Sequence, residues 1–135
     1  MSELTEEYFE FLSEIKLELM EYCHHPECTA IHECPRDHEI CKETLDLDTA
    51  IAWQLVREIK TMSHNACVMM AGEERVLKEA EDLQVQLGFA YNTVRAHSRR
   101  YSQLKDILSR FYYRNICYIH RFAEVIWEGR NNERN

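Results

Sequence analysis

The chain has 135 residues, 45% of them hydrophobic, and a formal net charge of −8, which is enough for one domain with a buried core and an excess of acid. Three Gly and two Pro are too few turn residues for a many-stranded sandwich or barrel. The longest wholly apolar run, residues 66–71, is far below the roughly 20 residues that span a bilayer, so no membrane partner is expected.

The first helix is expected over residues 2–22, where Leu4, Tyr8, Phe11, Ile15, Leu19 and Tyr22 recur at spacings of three and four with acids on the opposite face. Ser2 or Thr5 suits its N-cap, Glu3, Glu6 and Glu7 suit the positive end of its dipole, and Pro26 suits its end. These opening residues hold no basic stretch ahead of an apolar run, so no secretory signal is read in them. The expectation is an intracellular protein, cytoplasmic or nuclear, in a reducing compartment where clustered cysteines hold metal more often than they form disulfides.

Residues 23–41 carry Cys23, His24, His25, Cys28, His32, Cys34, His38 and Cys41. A tetrahedral zinc needs about four nitrogen or sulfur donors, and short loops between ligands lower the entropy of gathering them. A metal would also stiffen a polar connector that has no core of its own. The leading set is Cys23, Cys28, Cys34 and His38, with Cys41, His32, His24 and His25 as alternates. Its second half, Cys34-Pro35-Arg36-Asp37-His38 after Cys28, resembles the C-x5-C-x3-H half of CCCH-type zinc fingers. The resemblance covers residues 23–38 and implies a structural zinc and, in many members, binding of single-stranded RNA. Residues 24–40 hold no Phe, Tyr or Trp and one arginine against Glu27, Glu33, Asp37 and Glu39, so the large stacking surface and positive potential for such binding are absent from this segment.

Asp46 or Asp48 can cap a second helix with the stripe Leu47, Ile51, Leu55, Ile59, Met62, Ala66 and Met69, and Gly72 marks a turn. From Glu73 a third stripe runs through Leu77, Ala80, Leu83, Leu87, Tyr91 and Val94. It continues through Tyr101, Leu104, Leu108, Phe111, Cys117 or Tyr118, Phe122 and Val125 with no proline. Unbroken, this segment would be a rod of about 84 Å, half of it without a partner in the chain unless it dimerised. A break near Ser98 gives four helices of roughly 22, 25, 25 and 28 residues, matched for an antiparallel bundle. The expected architecture is therefore all-α, about four helices in one domain over residues 1–130 with a zinc-stabilised connector, and a flexible tail at 131–135.

In that bundle, His64 with Cys67 and Cys117 with His120 sit as i, i+3 pairs on the second and fourth helices, so a second, interhelical Cys2His2 site is a candidate. The alternative reading makes both cysteines small buried hydrophobes. Residues 1–48 hold 14 acids and 3 bases, and residues 95–135 hold 9 bases and 4 acids. Either the two ends neutralise each other or they offer an acidic face to basic partners and a basic face to acidic ones. Arg95, Arg99, Arg100, Arg110 and Arg114, interleaved with Tyr101, Phe111, Tyr112 and Tyr113, are the candidate partner contacts on the basic side.

No di-iron pattern, zincin signature, nucleophile elbow, P-loop or dinucleotide fingerprint occurs. A saturated four-ligand zinc holds no activated water, so no catalytic residues and no small-molecule substrate are expected. The functional expectation is a zinc-binding helical scaffold or adaptor for a protein partner or for self-association. The alternatives are an RNA-binding protein using the helical segment 95–121, and a metal-dependent or Cys-His enzyme.

Overall fold

A computed structural model describes residues 2–23, 47–70, 72–98 and 101–134, with side chains described through Asn131. Among these residues there are four helices and no strand: α1 (Glu3–Tyr22), α2 (Leu47–Met69), α3 (Glu73–His97) and α4 (Tyr101–Arg134).

The local signals of α1 act where the sequence puts them, and the cap expected of Asp48 does not. Ser2 caps α1, its hydroxyl accepting from the Thr5 amide at 3.2 Å, while Glu3 and Glu6 lie in the first turn. Asp48 lies within the first turn of α2 and does not cap it from outside; its buried carboxylate accepts from the Tyr22 hydroxyl at 2.9 Å and ties the end of α1 to the start of α2. α2 stops at Met70, whose φ of 45° is the left-handed conformation that ends many helices. The long third stripe breaks where matched helix lengths required it: Ser98 is extended, and its amide donates to the Val94 carbonyl at 2.9 Å.

The helices run up and down in turn. Tyr22 meets Asp48, Tyr91 meets Tyr101 and Glu74 meets Arg130, while Glu7 and Glu18 on α1 meet Arg121 and Arg110 on α4. α1 packs on α2 and α4, α3 packs on the same two, and the diagonal pairs touch only slightly. The core is Tyr8, Phe11, Leu12, Ile15 and Leu19 from α1, Trp53, Leu55, Val56 and Ile59 from α2, Leu83 and Leu87 from α3, and Leu104, Leu108, Phe111 and Phe122 from α4. Phe11 stands edge-on to Phe111 and stacks on Tyr118, with centroids at 5.8 and 5.3 Å.

Three details differ from the sequence reading. In α2 the buried stripe takes in Ala52, Trp53 and Val56, and both ends of the expected stripe, Leu47 and Met69, are exposed. α4 has 34 residues, about 51 Å at 1.5 Å each, and stays helical through Arg134, where a tail from Asn131 was expected. With no proline after Phe122, nothing in the sequence stops it. The third detail is Asn115, fully buried on the α4 stripe between Phe111 and Tyr118. Its Oδ1 accepts from the Tyr8 hydroxyl at 2.6 Å, and its Nδ2 donates to the Ala80 carbonyl at 3.0 Å and to Gln84 Oε1 at 2.8 Å. One carboxamide thus links α1, α3 and α4.

Candidate interaction surface

The opposed charges of the two chain ends meet along the α1–α4 seam. Arg121 makes a two-pronged ion pair with Glu7 at 3.0 and 2.9 Å, and the Tyr118 hydroxyl donates to the same carboxylate at 3.3 Å. Arg110 pairs likewise with Glu18 at 2.9 and 2.8 Å and also reaches Asp106 at 3.0 Å. The hydrogen bond from Arg121, reinforced by its charge, holds the Glu7 carboxyl below the usual glutamate range. The Glu18 hydrogen bond raises the Arg110 guanidinium further above its already high value. Arg114 lies over the Phe11 ring, 4.5 Å from its centroid. Of the five arginines singled out as partner contacts, Arg110 and Arg114 are therefore engaged by α1. Arg95 is exposed in the last turn of α3, and Arg99 and Arg100 lie outside the described residues.

Among the candidate zinc ligands only Cys23 is described; Cys28, Cys34, His38 and the alternates Cys41, His32, His24 and His25 lie outside the described residues. Cys23 is buried at the C-terminal end of α1, and its thiol donates to the Leu19 carbonyl at 2.9 Å. As a metal ligand it would give up that proton. His64, Cys67, Cys117 and His120 are all exposed, on α2 and α4, which are diagonal in the bundle. Among the described residues, no three or more Cys, His, Asp or Glu side chains gather where they could hold a metal. The buried-hydrophobe alternative for Cys67 and Cys117 is also not what the structure shows. Being i, i+3 on a helix aligned each pair, but the registers of α2 and α4 turn those faces to solvent.

Phe89 is 70% exposed and Val85 60%, one turn apart on the same side of α3. Beside them the α2–α3 seam opens into a groove of about 400 Å³ floored by Leu47, Ile51 and Leu55 of α2 with Phe89 and Ala90 of α3. On the other side of α3, Gly88, Tyr91, Tyr112 and Tyr113 line a smaller notch of about 220 Å³. Sequence reasoning passed over Val85 and Phe89 because both fall off the core stripe. The signal was there: an i, i+4 apolar pair outside the stripe of an amphipathic helix has nothing to bury against within its own bundle.

No helix among the described residues is long and apolar enough to cross a membrane. No protein-family model, no curated protein and no solved structure matches the chain.

Proposed function

We propose that the protein is a non-enzymatic helical scaffold or adaptor that holds another protein on its outer faces, with a zinc ion fixing the connector between α1 and α2. The observation that carries the interaction reading is the exposure of Phe89 and Val85 beside the α2–α3 groove. Completing the burial of side chains that are 60–70% exposed yields about 1–2 kcal/mol each, before the cost of association is subtracted. The zinc reading rests on the eight thiol and imidazole groups spaced over residues 23–41 in a polar segment. Cys23, Cys28, Cys34 and His38 are the preferred ligands.

The interaction reading is tested by capture from the native cells with the wild-type chain, a Val85→Asp/Phe89→Asp variant, and a control altered at exposed Gln103 on α4. The account expects a defined set of proteins, or additional copies of the chain itself, to be lost from the double variant and kept by the control. Identical recovery by all three would refute it.

A further inference from the structure

The seam between α1 and α2 opens into a groove of about 560 Å³ lined by Glu6, Phe9, Glu10, Ser13 and Glu14 of α1 and by Ser63, Ala66 and Cys67 of α2. Its floor is a partly buried phenyl ring and small side chains, the arrangement that lets a third helix approach two others closely. One turn beyond Ser13, the half-exposed Leu17 continues the apolar strip. From Phe9 to Leu17 the strip spans about 12 Å, a little over two helical turns.

The wall of this groove is charged in one sense. Glu6, Glu10 and Glu14 stand at i, i+4 and i+8, all exposed, and none of the described residues that line the groove is basic. Lys16 and Lys60, the bases nearest by helical spacing, do not line it. The contrast lies within one helix: Glu7 and Glu18, on the α4 side of α1, are paired with Arg121 and Arg110. The three groove carboxylates form no ion pair with any described residue. Like charges at i, i+4 destabilise a helix by a few tenths of a kcal/mol per pair, a cost that an opposite charge laid alongside relieves.

From this apolar floor and its unneutralised acidic wall, we infer that the α1–α2 groove docks a basic amphipathic helix of another protein. Its leucine-like face, repeating at i, i+3 and i+7, sits on Phe9 and Leu17 over the small side chains of Ser13 and Ser63, and its Lys or Arg residues face Glu6, Glu10 and Glu14. A second copy of the chain is a poor occupant, because a two-fold contact through this face sets the same carboxylates against each other. Nucleic acid is repelled by the same charges. The groove is separate from the α2–α3 surface carrying Phe89, so each can fail without the other.

The test uses the full chain and a fluorescein-labelled model peptide of about 18 residues, leucine on one face and lysine on the other, read by fluorescence anisotropy. A permuted peptide of the same composition, with its leucines spread around the helix, separates docking from bulk charge attraction. Expected results are saturable binding of the amphipathic peptide and at least about tenfold weaker binding of the permuted one. A Glu6→Gln/Glu10→Gln/Glu14→Gln variant and a groove-filling Ser63→Trp variant should each weaken binding by a similar factor, with helicity unchanged. A Glu124→Gln/Glu128→Gln control, altered on exposed α4 positions, should bind as the wild type does. Equal affinity for the two peptides, or wild-type affinity in the triple glutamine variant, overturns the proposal. So does a wild-type dimer that Ser63→Trp converts to monomer, since a second copy would then fill the groove. If Ser63→Trp fails to fold, the triple variant, altered only at exposed positions, decides alone.

Discussion

Asn115→Leu removes a carboxamide that is fully buried and holds three helices together through Tyr8, Ala80 and Gln84. Leucine keeps the number and branching of the side-chain heavy atoms but its methyl groups are bulkier, so crowding at this fully buried site adds to the polar loss. The Tyr8 hydroxyl, itself on a residue with no solvent exposure, is left without an acceptor. An unsatisfied buried donor costs about 1–3 kcal/mol, whereas Ala80 keeps its helical hydrogen bond and Gln84, partly exposed, can turn to water. The expectation is a loss of about 2–5 kcal/mol for Asn115→Leu, polar and crowding terms together, and about 1–2 kcal/mol for Tyr8→Phe. The double variant should lie near Asn115→Leu alone, because the donor that variant orphans is already gone, giving a coupling of about 1–2 kcal/mol. Urea unfolding followed by circular dichroism measures this, with an unchanged m-value showing that only stability moved. Additive effects within about 0.5 kcal/mol, or stabilisation by Asn115→Leu alone, would refute the reasoning.

Tyr8 makes a second prediction. Burial, with the negative charge of Glu79 adding to it, pushes its phenol far above the ordinary 10.0. The folded chain therefore keeps a proton that the unfolded chain releases, so the stability due to neutral Tyr8 is complete below about pH 10 and falls as pH rises beyond it, by up to ~1.4 kcal/mol per pH unit. Tyr8→Phe should flatten that alkaline loss in urea titrations between about pH 9 and pH 12; an unchanged slope contradicts the burial. At the end of α2, Met70→Gly should stabilise the fold by about 0.5–1 kcal/mol, because Met70 is exposed and holds a left-handed φ that glycine adopts without strain. A lower thermal midpoint in that variant would count against it. Native mass spectrometry should find one zinc per chain, lost on Cys28→Ser or Cys34→Ser; a metal-free native protein ends the zinc proposal.

Helix existence was legible in the sequence because the 3.6-residue stripe is intrinsic to each segment, and the break at Ser98 was legible because a rod of that length would have no core. What escaped depends on partners far away in sequence. Nothing near Asn115 in the sequence marks it as a core residue, since its acceptors and donor come from α1 and α3, as much as 107 residues away. The sequence leaves the arginines of α4 open to nucleic acid, to an acidic partner or to internal pairing, and the structure sets Glu7 and Glu18 opposite Arg121 and Arg110. The groove carboxylates were counted in the acidic excess, but which of them stay unpaired follows only from which side of α1 faces α4. The i, i+3 logic for His64, Cys67, Cys117 and His120 set each pair on one face without saying that the face would be turned outward.

The most direct measurement of the central claim places a photo-crosslinking amino acid at position 89 in the native cells, with the same group at position 103 as the control. A protein that works by holding a partner on its α2–α3 surface gives a discrete crosslinked species from position 89 that is absent from position 103. No crosslink at position 89, or the same products from both positions, contradicts the account.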